Sequence, residues 1–278
     1  MSPLVTPPWI AERRADPNLR VLDASWYLPQ AGRDARAEFA AAHVPGAMFF
    51  DIDALSDETS PWPHMLAPAD KFARIMGELG IGDETTVVVY DGAGLYSAPR
   101  AWWMFRAMGH ESVRILDGGF PAWNRAGYPV VQRLLSPAKA TFTPKPRLEL
   151  VRSFSQMTDI VRKRTAQVID ARGRARFHAQ EAEPRPGVRG GHMPGATNLP
   201  YTEFTSADGT LKPASALRDL FEAECVNLAE PLVTTCGSGV TAALAMLALE
   251  VAGAKSVALY DGSWAEWGAR PEAPVETG

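Results

Sequence analysis

Short apolar, β-branched runs alternate with helical stretches in both halves of the chain. In the second half, Val168–Asp170, Leu232–Thr235 and Val257–Tyr260 read as strands. Ala216–Glu224 and Val240–Val251 read as helices, the latter closed by Gly253. Strand and helix in turn predict an α/β fold, a mainly parallel sheet flanked by helices. Ligands of such sheets bind beyond the carboxyl ends of the strands. Cys236 stands at one of those ends.

The pattern occurs twice because the chain repeats itself. Val21-Leu22-Asp23-Ala24 returns as Val168-Ile169-Asp170-Ala171, and His43-Val44-Pro45-Gly46-Ala47 as His192-Met193-Pro194-Gly195-Ala196. Val88-Val89-Tyr90-Asp91 matches Val233-Thr234-Thr235-Cys236. Leu116-Asp117-Gly118-Gly119 with Trp123 matches Tyr260-Asp261-Gly262-Ser263 with Trp267. Repeats in the same order predict two copies of one fold. We place the first copy at 1–135, a linker with Pro137, Pro144 and Pro146 at 136–149, and the second copy at 150–278.

The repeat is also an internal control on function. Where the second copy has Cys236 the first has Asp91, and a carboxylate cannot stand in for a thiol as a nucleophile. Only the second copy is therefore expected to be catalytic by that route. His43 and His192, Asp117 and Asp261, and Trp123 and Trp267 recur in both copies, so they are expected to be structural.

Composition changes this picture little. The chain has 278 residues, ample for two domains, and a hydrophobic content of 46%, ordinary for a globular protein. A net charge of −4 gives no reason to expect nucleic acid or an anionic membrane as partner. Two cysteines make no disulfide framework. No apolar run is long enough to span a membrane, and the N-terminal residues lack a secretory pattern, so a cytoplasmic protein is expected.

Chemistry concentrates in Cys236-Gly237-Ser238-Gly239-Val240-Thr241, between a strand and a helix. Small residues before a helix start form a cup of backbone N–H groups that favours negative charge. A thiolate, the nucleophilic form of cysteine, suits that cup. A phosphate-binding P-loop would need Lys followed by Ser or Thr, which is absent. A cysteine phosphatase would need an arginine among Val240, Thr241, Ala242 and Ala243, and none is there. The loop suits a persulfide or a small leaving anion, steadied by the amides of Gly237, Gly239, Val240 and Thr241.

These motifs resemble the two-domain rhodanese-like sulfurtransferases along nearly the whole chain, and within that family the members that use 3-mercaptopyruvate. Thiosulfate-preferring relatives usually carry basic residues where this chain has Gly237 and Ser238. The resemblance implies two tandem rhodanese-like domains, with Cys236 as sulfur carrier and no metal or organic cofactor. It assigns Arg176 and Arg185 to the donor's carboxylate and carbonyl. It also assigns Ser238, His64 and Asp53 to a relay in which the acid orients the ring and the ring polarises the hydroxyl. Tyr96 is expected to line the cleft. Cys225 is expected to be inert.

The implied reaction moves sulfur from 3-mercaptopyruvate to a thiol such as thioredoxin, or to cyanide, and releases pyruvate. A thiosulfate sulfurtransferase is the alternative within the class. A non-catalytic binding module or sulfur-carrier platform is the rival from outside it.

Overall fold

The computed structural model describes residues 2–278. Ten strands form two five-stranded sheets. The first contains β1 (Leu4–Val5), β2 (Leu19–Asp23), β3 (Ala47–Phe49), β4 (Thr86–Tyr90) and β5 (Val113–Leu116). The second contains β6 (Val151–Arg152), β7 (Gln167–Asp170), β8 (Thr197–Asn198), β9 (Leu232–Thr235) and β10 (Val257–Tyr260). The strand orders are β1-β5-β4-β2-β3 and β6-β10-β9-β7-β8, the same topology written twice, and every pairing is parallel.

The central strands explain why the alternation was legible. Thr-Val-Val-Val-Tyr of β4 and Leu-Val-Thr-Thr of β9 are short runs lacking the polar alternation of a half-exposed strand. Strands covered by helices on both faces have that composition. Val168, Ile169 and Asp170 pair in register with Val233, Thr234 and Thr235, which carries β9 to its end just before Cys236. The following helix, Val240–Ala252, is apolar around its whole circumference and buried along nearly its whole length, as its sequence requires. Gly239 (φ 81°) and Gly253 (φ 113°) bracket it in left-handed conformations that cost glycine little.

The histidines and tryptophans that recur in both copies do the same structural work in each. His43 Nδ1 donates to the Phe39 carbonyl at 2.7 Å and its ring stacks on Phe39. His192 Nδ1 donates to the Phe177 carbonyl at 3.0 Å and stacks on Phe177. Trp123 and Trp267 are buried and donate their indole N–H groups to the carbonyls of Pro129 and Pro274, at 2.9 and 2.8 Å.

Contacts divide the chain into two compact units whose limits do not follow the chain simply. Residues 58–65 belong to the second unit and residues 206–211 to the first. The proline-containing stretch up to Arg147 packs on the first unit and does not hang free. Ala140, Lys145 and Arg147 donate backbone hydrogen bonds to Gly77, Met108 and Ala107, and Phe142 is buried against Phe72 and Phe105. Prolines hold such a segment extended, which lets its remaining amides bond a neighbouring surface. Among the described residues no helix is long and apolar enough to cross a membrane.

Candidate active site

Cys236 follows β9 and is buried, 2% exposed. Its carbonyl accepts from the Trp264 amide at 2.9 Å, and the Gly237 carbonyl accepts from Ala265 at 2.9 Å. The Cys236 amide donates to Ser263 Oγ at 3.3 Å. The loop is thereby tied to the turn after β10. Among the described residues the amides of Gly237, Ser238, Gly239, Val240 and Thr241 are not spent on other protein groups. They are the open donors of the loop and of the first turn of the helix behind it, where backbone partial charge favours an anion.

Two further groups meet this loop within the second unit. Ser238 Oγ lies 2.9 Å from His64 Nδ1, a contact spanning 174 residues of sequence. His64 is buried and holds φ 61°, an uncommon conformation for a residue with a Cβ. The Arg176 guanidinium packs beside Gly237: a Cβ built there would lie 3.2 Å from Nη2 and 3.7 Å from Nη1. No side chain fits at 237 unless Arg176 gives way.

Arg176 is held from behind by a network of buried charges. Its Nε and Nη2 donate to Glu183, whose carboxylate also accepts from Arg172 Nη1 at 2.8 Å. Arg172 donates in turn to both oxygens of Asp170 and lies over the Trp264 ring at 4.2 Å. The side chains of Asp170, Arg172 and Glu183 are 1–3% exposed. Charges so deeply buried hold their places only as a connected set. The sequence signal was present, since Arg172 and Glu183 flank Arg176, but a run of arginines near a proline loop reads as a solvated surface. Arg185 lies two residues beyond Glu183 and is half-buried.

The remaining expected site residues lie in the first unit. The Asp53 carboxylate accepts from the Trp26 indole at 3.2 and 3.1 Å, and Tyr96 stacks on Trp26 with ring centroids 6.4 Å apart. Asp91, at the position of Cys236, is fully buried. Its Oδ2 accepts from the amides of Tyr96, Ser97 and Ala98 at 2.8–2.9 Å, and its Oδ1 from Ala93 at 2.9 Å. The first copy therefore has the same kind of amide cup, filled by its own carboxylate.

The first copy also carries an arginine that matches Arg176 in placement, Arg33. It lies against Gly92 as Arg176 lies against Gly237, and it is forked on Glu38 at 2.8 and 2.6 Å. The pairing was hidden because Arg33 follows its strand by ten residues and Arg176 by six.

Comparison with known proteins agrees with this geometry. The rhodanese-like domain family matches twice, at residues 6–126 and 153–270. Human 3-mercaptopyruvate sulfurtransferase is 47% identical over 99% of this chain and 95% of its own length. The Escherichia coli (strain K12) 3-mercaptopyruvate sulfurtransferase is 44% identical over 96% of this chain and 95% of its own. Chicken (Gallus gallus) thiosulfate sulfurtransferase is 43% identical over 95% of this chain and 92% of its own. The crystal structure of the E. coli 3-mercaptopyruvate sulfotransferase SseA superposes with a TM-score of 0.87 at 41% identity, covering 95% of this chain and 99% of that one. Two matched domains, one topology written twice and full-length relatives lead to one assignment: the chain belongs to the rhodanese-like domain family.

Proposed function

We propose that the protein is a 3-mercaptopyruvate sulfurtransferase that carries sulfur as a persulfide on Cys236. The single observation that carries this reading is the cysteine in an uncharged loop whose amides are open and whose Gly237 is flanked by Arg176. The Cys236 thiolate attacks the sulfur of the donor. The new S–S bond forms as the carbon–sulfur bond breaks, and that electron pair passes into the adjacent ketone as an enolate. The enolate carbon takes up the proton that the donor sulfur carried, giving pyruvate and the enzyme persulfide. An acceptor thiolate such as that of thioredoxin, or cyanide, then attacks the outer sulfur and regenerates Cys236.

In this reading Arg176 and Arg185 bind the donor's carboxylate and carbonyl, matching planar forks to paired oxygens. The amides of Gly237, Gly239, Val240 and Thr241 steady charge on the persulfide. Ser238 and His64 relay the proton, and Asp53 and Tyr96 keep the roles that the family resemblance implies for them. The first copy acts as scaffold. The two unpaired cysteines support a reducing, cytoplasmic setting.

Relatives of similar identity include a thiosulfate sulfurtransferase, so overall identity does not choose the donor. The loop supports 3-mercaptopyruvate: thiosulfate is a dianion, and neither Gly237 nor Ser238 offers it a cation. Pyruvate release and kcat/KM for the two donors test this in wild type and Cys236→Ser. The expected result is preference for 3-mercaptopyruvate and a loss of at least about 10⁴-fold in the variant. Preference for thiosulfate, or equal turnover by the serine variant, contradicts it.

A further inference from the structure

Among the described residues, five that are not glycine adopt a left-handed backbone: His64, Arg164, Ala179, Cys225 and Ser263. Arg164, Ala179 and Cys225 are exposed, whereas His64 and Ser263 are buried. Both buried ones touch the Cys236 loop, His64 through Ser238 and Ser263 through the Cys236 amide. Unfavourable backbone conformations persist where the surroundings enforce them, and an observed one is a pointer to function.

The internal repeat shows what is unusual about Ser263. Its counterpart is Gly119, which holds nearly the same angle, φ 57° against 49°. The conformation therefore belongs to the turn in both copies, and glycine adopts it at no steric cost. In the first copy a side chain at 119 is also blocked, since a Cβ would lie 2.4 Å from the Asp91 carbonyl oxygen and 2.6 Å from that of Gly94. In the second copy the turn carries a serine despite the strain. Its hydroxyl donates to the Tyr260 carbonyl at 2.9 Å and accepts from the Cys236 amide at 3.3 Å. It bridges the end of β10 to the first residue after β9.

The two copies also differ in how firmly this turn grips its loop. In the first copy the Phe120 amide bonds the Asp91 carbonyl, and the next residue, Pro121, has no N–H to offer Gly92. In the second copy Trp264 and Ala265 bond the carbonyls of Cys236 and Gly237, and Ser263 adds the third link. All three links hold the backbone from which the sulfur projects.

We infer that Ser263 is a positioning residue for the nucleophile: its strained backbone places a hydroxyl that fixes the Cys236 amide and, through it, the direction from which Sγ meets the donor. The inference rests on the proposed persulfide chemistry and adds a residue that touches neither donor nor sulfur. A nucleophile misplaced by about 1 Å can lose about 100-fold in rate. Loss of one of three links should cost less than that.

The experiment is single-turnover persulfide formation from 3-mercaptopyruvate, normalised to titratable Cys236 thiol in folded protein, for wild type, Ser263→Ala and Ser263→Gly. Ser263→Gly keeps the left-handed turn accessible if Ser263→Ala folds poorly. The expected result is a rate about 10-fold lower in both variants, with the half-saturating donor concentration unchanged within about 2-fold because no donor contact is removed. A purely structural role would lower the melting temperature and leave the rate per folded thiol unchanged. Wild-type loading with an unimpaired Ser263→Gly overturns the assignment alone, and so does a loss confined to half-saturation. A wild-type chain that takes up no sulfur overturns the assignment together with the proposed function.

Discussion

After β4 the chain turns through Asp91 and enters the helix Ala98–Ala107; after β9 it turns through Cys236 and enters the helix Val240–Ala252. The two turns occupy the same place in the same topology. In the first, four backbone amides close on the Asp91 carboxylate, so the cup contains its own anion. In the second, the corresponding side chain is a thiol and the loop amides have no protein acceptor among the described residues. One architecture thus serves stability where its anion is built in, and chemistry where the anion must arrive or form. The strands that lead into the neighbouring loops differ in parallel. Asp23 is hydrogen bonded to Ser25, while its counterpart Asp170 is paired with Arg172 and through Glu183 linked to Arg176.

The sharpest way to break this comparison is to empty each cup in turn. Asp91→Ala leaves four amides without their buried carboxylate and should cost about 3–5 kcal/mol of stability. Cys236→Ala removes only a small apolar contact and should cost about 1 kcal/mol. Denaturant unfolding measures both, and equal losses would mean that the first cup is not a structural anion site. Per folded molecule, Asp91→Ala should still transfer sulfur.

A second difference should appear in the pH dependence of stability. Burial pushes the Asp23 carboxyl up to about 6 from 3.8, with its Ser25 hydrogen bonds opposing the rise and the nearby Asp91 charge adding to it. The folded state then binds a proton more tightly than the unfolded state. The resulting stabilisation is complete below about pH 3.8 and is lost as pH rises through about 6. The expected loss is on the order of 2–3 kcal/mol. Asp23→Asn should flatten that segment of a stability profile taken from pH 4 to 7.5. An unchanged slope in the variant would assign the effect elsewhere.

The smallest expected effect concerns Arg176. Gly237→Ala places a methyl group 3.2 Å from its guanidinium, which can shift only by loosening its hold on Glu183. KM for 3-mercaptopyruvate should rise about 5–10-fold, roughly 1 kcal/mol. Gly92→Ala in the first copy, whose methyl group would meet the Tyr27 hydroxyl before Arg33, should leave the KM of the folded molecule unaltered. A KM indifferent to Gly237→Ala would detach Arg176 from donor binding.

Much of this contrast was legible in the residues alone. The repeated motifs, the all-apolar helix after Cys236 and the substitution of Asp91 for cysteine are local patterns, and local patterns survive in sequence. The counterpart relation of Arg33 and Arg176 was not legible, because loops of different length bring them to equivalent glycines. Nor was the network behind Arg176, because Arg172, which joins Asp170 to Glu183, packs over the ring of Trp264 from a distant part of the chain. Ser263 could have been noticed from its alignment with Gly119, but the meaning of that pair requires the shared positive φ. The packed course of the stretch up to Arg147 was hidden for a related reason: proline content shows that a segment is extended and says nothing of what its amides meet.

The most direct test of the contrast between the two cups is the mass of the intact chain after brief exposure to 3-mercaptopyruvate without acceptor, followed by peptide mapping. The account predicts a gain of one sulfur atom on Cys236, none on the exposed Cys225, and its removal when a thiol is added. Sulfur lodged on Cys225, or a chain that gains none, would contradict it.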